Sequence, residues 1–224
     1  MPHSALAVDS DELNCKALKV ALELCNCRAV CSRSLEDAAA LLQQRRFDII
    51  VQDWSLPGRH AGELCQLVRS RNDPCLFVIV NAPSSGILQA RLLDMGADDC
   101  ITDSPPSEAV LSRLRARLRR ISPSCSQELP SRASGGLLVY PSTRTATVDG
   151  RELSLTDTEF DILSALASSG GVVGRAELLV RFWGADGTQG SKTLDIHVAN
   201  LRRKLGSARR RLETVRGIGF RWAR

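Results

Sequence analysis

Lys192-Thr193-Leu194-Asp195-Ile196-His197-Val198-Ala199-Asn200-Leu201-Arg202-Arg203-Lys204-Leu205 sets Leu194, Val198, Leu201 and Leu205 at spacings of 4, 3 and 4. That period makes one apolar stripe along a helix. Lys192, Thr193, His197, Asn200, Arg203 and Lys204 lie off the stripe, and none is apolar. Gly206 is suited to end the helix. Residues 212–215 and 220–222 then flank Arg216-Gly217-Ile218-Gly219, which predicts a terminal hairpin. Working upstream, a second helix is expected from Arg175 to Trp183. Before it, Thr156-Asp157-Thr158-Glu159 is a capping box opening a first helix with Phe160, Leu163 and Leu166 on one side. Residues 145–148 and 151–155 flank Asp149-Gly150, a favoured two-residue hairpin turn.

Three helices followed by a hairpin is the order of a winged helix-turn-helix. A buried stripe opposite a polar, basic face is what the major groove of DNA accepts. Asn can pair with adenine, Lys can contact guanine, and Arg or Lys can hold phosphates. Arg216, at the tip of a glycine-rich hairpin, could reach a minor groove. Charge supports a polyanionic partner. Residues 1–120 hold 15 basic and 15 acidic groups, whereas the last 34 residues hold 10 and 2. The net charge of +5 therefore belongs to the C-terminal part. Arg209-Arg210-Arg211 reads as phosphate attraction rather than base readout.

The first 120 residues alternate short apolar runs with helical patterns. Strands are expected at 5–8, 28–31, 48–52, 76–80 and 100–102, and this alternation implies a doubly wound parallel α/β sheet. In such sheets functional groups gather at the carboxyl ends of the strands. Residues 121–134 are Ser/Pro-rich without apolar period and read as a linker. The expected domains are 1–120, linker 121–134, and 135–224.

Thr156-Asp157-Thr158-Glu159-Phe160, Trp183-Gly184, the 192–205 helix and Thr214-Val215-Arg216-Gly217-Ile218-Gly219-Phe220-Arg221 resemble the OmpR/PhoB-type response regulators. The resemblance implies a winged-helix effector domain binding direct-repeat double-stranded DNA as a tandem dimer. It assigns DNA contacts to Trp183, Lys192, Thr193, His197, Asn200, Arg202, Arg203, Thr214 and Arg216, with residues 185–190 in the helix-turn-helix loop. Phe47-Asp48-Ile49-Ile50-Val51-Gln52-Asp53-Trp54-Ser55-Leu56-Pro57-Gly58 and Gly96-Ala97-Asp98-Asp99 resemble the receiver domain of the same family. Asp53 takes the place of the phosphoryl acceptor in a flavodoxin-like, five-stranded receiver.

Receiver chemistry uses clustered carboxylates to hold Mg²⁺, a Lys to stabilise the phosphoryl group, and a Thr/Ser hydroxyl that turns to bind it. Here Asp9 and Asp53 match metal-binding acids, but Ser10 replaces the second acid, with Asp11 one residue further along. Asn81 stands at the switch hydroxyl, Cys100 at an aromatic position, Asp103 at the Lys, and Ser104 at a Pro. Exchanging a cation for an anion opposes an acyl phosphate on Asp53. The expectation is therefore an atypical receiver not switched by Asp53 phosphorylation, with Mg²⁺ binding in doubt. The alternatives are conventional phosphorylation at Asp53 or a cysteine-based redox response. By resemblance, a homodimer face would use Arg91, Asp98, Asp99, Arg113 and Arg115 in cross-subunit ion pairs. The competing expectation makes Arg113, Arg115, Arg117, Arg119 and Arg120 the exposed side of a helix that buries Val110, Leu111, Leu114 and Leu118. RNA polymerase is a candidate partner, and a sensor kinase is left open.

All eight cysteines lie in the first 125 residues. Cys25, Cys27 and Cys31 form C-x-C-x3-C without an evident fourth ligand, and they read as small buried hydrophobes. Cys125 falls in the expected linker. The longest apolar run, Leu76–Val80, is far shorter than the roughly 20 residues of a membrane helix. With no leader pattern at the N-terminus, a cytoplasmic protein is expected. The three histidines are not grouped with candidate catalytic residues, so no catalytic set and no enzyme is expected.

Overall fold

The computed structural model describes residues 2–56, 62–71, 73–103, 107–121, 131–133, 136–141, 143–183 and 190–223. The chain divides into two compact units, Met1–Ser122 and Pro123–Arg224.

In the first unit, β1 (His3–Val8), α1 (Glu12–Leu24), β2 (Cys27–Ser32), α2 (Leu35–Gln44), β3 (Ile49–Asp53), α3 (Gly62–Ser70), β4 (Leu76–Val80), α4 (Gly86–Asp94), β5 (Asp99–Cys100) and α5 (Glu108–Ile121) alternate. Every residue of β3 and β4 is buried, as apolar strands covered on both faces must be. The parallel sheet runs β2-β1-β3-β4-β5. Chain direction across the sheet reverses between β1 and β3, which leaves a crevice at their carboxyl ends. Val8 lies opposite Gln52 in that pairing, so the next residues, Asp9 and Asp53, come to the same edge. One core gathers Ala5, Ala7, Ile49, Val51, Val78 and Val80 with Leu18 and Leu22 of α1 and Val110, Leu111, Leu114 and Leu118 of α5.

The second unit opens with an antiparallel sheet of β6 (Ser131–Ala133), β7 (Leu137–Tyr140), β8 (Thr145–Val148) and β9 (Arg151–Glu152). Strand β6 lies inside the stretch read from sequence as linker; it pairs with β7, and its three residues give no detectable two-residue period. Asp149 and Gly150, at φ 49° and 80°, make the expected turn between β8 and β9. Thr156 caps α6 (Asp157–Ser169) in a reciprocal box with Glu159. Then come β10 (Val172–Gly174), α7 (Arg175–Trp183), α8 (Gly190–Leu205), a 3-10 segment (Gly206–Arg211), β11 (Leu212–Val215) and β12 (Gly219–Trp222). The core joins Leu194, Val198, Leu201 and Leu205 of α8 to Leu163 and Leu166 of α6 and Phe182 of α7.

Strand β12 lies between β10 and β11, a third strand beyond the expected hairpin. Gly219 makes this possible, since a Cβ there would stand 1.9 Å from the Val173 carbonyl oxygen. Gly219→Ala must push β10 from β12 and is expected to cost about 3 kcal/mol, read by thermal unfolding. Stability unchanged within error would show that the two strands separate freely.

Candidate receiver pocket and nucleic-acid interface

At the carboxyl edge of the parallel sheet, Asp53 is 1% exposed. Both of its carboxylate oxygens are occupied. Oδ1 accepts from the Ser55 backbone N–H at 2.7 Å and from the Ser55 hydroxyl at 2.5 Å. Oδ2 accepts from the Asn81 side-chain amide. Asn81 follows β4 with φ 53°, a left-handed conformation that Asn tolerates better than most residues. Asp9 is buried, and its Oδ1 accepts from the Asp11 backbone N–H at 2.8 Å. Asp11 does not stand in for the missing second acid. Its carboxylate caps α1, accepting from the backbone N–H groups of Leu13 and Asn14 at 2.8 and 3.0 Å.

A divalent cation does not fit this set. Asp9 Oδ2 is the one oxygen of Asp9 and Asp53 left without a hydrogen-bond partner, and among the described residues no three His, Cys, Asp or Glu side chains converge on a metal position. Asp9 and Asp53, the acids matched to metal binding, thus offer between them one oxygen without a hydrogen-bond partner, short of the roughly six or more oxygens a hard cation takes. Burial, with Asp53 and Asp11 nearby, raises the Asp9 pKa. An acid with a raised folded-state pKa binds its proton more tightly when folded. Its burial therefore costs stability in full above that pKa, and the cost disappears as pH falls below the ordinary carboxylate range. Asp9→Asn is expected to raise the melting temperature at pH 7, with the gain shrinking towards pH 3, in melts recorded across that span. A gain that does not change with pH would refute this.

Beside the pocket, Asp98 and Asp99 are buried in ion pairs within the subunit. Asp98 Oδ2 accepts from Arg69 at 2.7 Å and from the Phe77 backbone N–H at 2.9 Å. Asp99 pairs with Arg113 at 2.9 Å and with Arg117 at 3.6 Å. Asp98, Asp99 and Arg113, expected in cross-subunit pairs, are engaged within the chain, where they hold the start of β5 to α3 and α5. Arg113 and Arg117 are likewise not part of an exposed arginine side of α5; Arg115 is half-exposed and pairs with Glu108 at 3.3 Å. Arg91 is exposed on α4. Side chains of Arg119 and Arg120 lie outside the described residues.

Among the α8 residues whose side chains are described, Lys192, Asp195, Ala199 and Arg203 are exposed, and Ile196, Arg202 and Lys204 are partly exposed. Thr193, His197 and Asn200 are each at most 5% exposed, as is Trp183 of α7. These four of the expected DNA contacts are buried within the second unit. Trp183 and His197 have ring centroids 6.0 Å apart, and Asn200 Oδ1 accepts from Arg203 at 2.9 Å. The exposed stripe of α8 runs Lys192–Asp195–Ala199–Arg203, and Asp195, Ile196 and Ala199 were not among the expected contacts. Counting by three and four from Lys192 could have found them. Asp195 is gripped in a two-pronged pair by Arg175, at 2.6 and 2.9 Å, which fixes the start of α7 against α8. Arg202 ties α8 to the wing through the Leu212 carbonyl at 2.8 Å and the Thr214 hydroxyl at 2.7 Å. Thr214 and Arg216 are exposed on the wing. Of the expected 185–190 loop, residues 185–189 lie outside the described residues, and Gly190 begins α8.

Of the described cysteines, Cys31 is partly exposed, its thiol donating to the Cys15 carbonyl at 3.2 Å, and the others are buried. Burial raises the thiol pKa of Cys25, and pushes those of Cys15, Cys27 and Cys65 up to about 12, where thiolate is scarce at neutral pH. Cys75 and Cys100 are raised further by burial. Cys125 lies outside the described residues. No described helix is long and apolar enough to cross a membrane.

A parallel sheet with an acid at the end of its central strand, and a second unit with a basic winged helix, define a two-domain response regulator. Residues 5–115 match the response regulator receiver domain, and residues 150–222 match the C-terminal domain of transcriptional regulatory proteins. The chain is 32% identical over 223 residues to the response regulator MprA of Mycobacterium sp. (strain KMS), covering 98% of this chain and 97% of that protein. It is 30% identical over 224 residues to the phosphate regulon transcriptional regulatory protein PhoB of Pseudomonas aeruginosa, covering 97% and 96%. Among solved structures, a cysteine-to-serine mutant of RitR shares the fold, with TM-score 0.75, 18% identity and 98% of each chain covered. The chain belongs to the OmpR/PhoB family of response regulators. It is a DNA-binding regulator of the two-component type.

Proposed function

We propose that this regulator works without phosphorylation of Asp53, binding direct-repeat DNA in the cytoplasm as a homodimer. The observation that carries this reading is the capture of both Asp53 oxygens by Ser55 and Asn81. In a conventional receiver a switch hydroxyl turns towards the phosphoryl group; here the longer Asn81 amide reaches the carboxylate itself. The loop after β4 is thus tethered to Asp53 with no phosphoryl group between them, and Asp103 supplies no cation to neutralise one. Dimerisation through the α4, β5 and α5 face would rest on Arg91 and Arg115 rather than on the buried Asp98, Asp99 and Arg113. RNA polymerase is the partner through which DNA binding would reach transcription.

The test is selection of genomic fragments by the unphosphorylated full chain at about 150 mM salt, where non-specific phosphate binding is weakened. Enrichment of two direct repeats about one helical turn apart is expected. Enrichment only after treatment with acetyl phosphate and Mg²⁺ would overturn the reading in favour of the conventional switch.

A further inference from the structure

The end of α8 and the 3-10 segment after it enclose an open cleft of about 830 Å³ that the contacts above leave unexplained. Gly206 builds it. Its φ of 58° is a left-handed stop that turns the chain back across the helix end. Ala208 is buried in the core, which fixes the turn and leaves Ser207, Arg209 and Arg210 outward. The cleft is lined by Arg202, Arg203, Arg209 and Arg210, with Ala199 and Ser207 between them, and by no carboxylate. Nearby acids are committed elsewhere: Asp195 to Arg175 and Glu213 to Arg221. Arg202 and Arg203 already donate to protein oxygens. Among the described residues, the exposed side chains of Arg209 and Arg210 have no hydrogen-bond or ion-pair partner.

We infer that this cleft is a phosphate-binding site, occupied by the DNA backbone just beyond the segment that α8 reads. The inference rests on the DNA-binding function of the family and adds a contact made by the 3-10 segment. Two features favour nucleic acid over a protein surface. Ala199 and Arg203 belong both to the exposed stripe of α8 and to the cleft wall, so the cleft continues that face. Four guanidiniums with no acid between them match a chain of evenly spaced phosphates, and guanidinium binds phosphate through paired donors. Contacts of this kind set affinity and register without reading sequence.

The experiment measures full-chain binding to a selected direct-repeat duplex and to a scrambled duplex over a salt series. Wild type is compared with Arg209→Gln/Arg210→Gln and with Arg28→Gln/Arg46→Gln, which removes the same charge from the receiver. The cleft variant is expected to lower the slope of log K against log salt by about two, one per lost phosphate contact. Its affinity should fall by a similar factor on both duplexes, leaving their ratio intact, while the receiver control stays near wild type. Circular dichroism melts should confirm that both variants fold. An unchanged slope in the cleft variant, or an equal fall in the control, overturns the site while DNA binding stands. Failure of wild type to bind either duplex overturns the family function and the site together. A separate titration with tripolyphosphate distinguishes the source of phosphate. Saturable micromolar binding lost in the cleft variant would assign the cleft to a free phosphoanion instead of DNA, and weak millimolar competition is expected.

Discussion

Asp98→Ala is expected to lower the stability of the receiver by about 3 kcal/mol, because it leaves a largely buried guanidinium without its countercharge. Arg69 also donates to the carbonyls of Asp73, Cys75 and Gly96, so α3 is fastened to the segments entering β4 and β5. Those carbonyls remain in the variant but carry no full charge, and the Phe77 N–H loses its acceptor as well. The melting temperature of the receiver transition should fall by about 10 °C, read by calorimetry of the full chain. Asp98→Asn keeps an acceptor for Phe77 and should lose less. If Asp98 instead served a subunit contact, its removal would change sedimentation with concentration and leave the melting temperature alone.

The second large effect is a gain. Ser10→Asp, Asn81→Thr and Asp103→Lys together restore the second acid, free Asp53 Oδ2 and replace an anion with a cation at the lost lysine position. The exchange at 103 alone changes the local charge by two units, in a crevice where water screens poorly. The triple variant is expected to take one phosphoryl group from acetyl phosphate with Mg²⁺, to near stoichiometry by intact mass. Adding Asp53→Ala should abolish the gain. Asp103→Lys by itself should gain little, because Asn81 and Ser55 still hold the carboxylate. A triple variant that stays unmodified would place the block in the crevice backbone rather than in these three side chains.

Features written into a few neighbouring residues were legible in the sequence. The Asp149-Gly150 turn, the Thr156–Glu159 capping box and the apolar period of α8 each follow from local chemistry, and the structure has all three. The missing lysine and second acid were legible as well, by resemblance. Burial imposed from a distance was not. Thr193, His197 and Asn200 flank the apolar stripe, and whether such flanks are covered depends on where α6 and α7 pack. The burial of Asp98 and Asp99 in pairs within the chain was not legible, since their partners Arg69 and Arg113 lie 29 and 14 residues away. Asp11 stood one residue past the replaced second acid, and its role as the cap of α1 was not legible because the sequence does not show where α1 begins to within one residue. Strand β6 is too short for a period and exists only because β7 offers it an edge.

The central claim is that Asp53 is held closed by its own neighbours and that the regulator acts without phosphate. Its most direct test incubates the wild-type chain with acetyl phosphate and Mg²⁺, follows intact mass, and measures binding to the selected direct repeat on the same sample. The account predicts an unchanged mass and the same affinity before and after treatment. A stoichiometric phosphoryl adduct that disappears in Asp53→Ala, with tighter DNA binding, would contradict it.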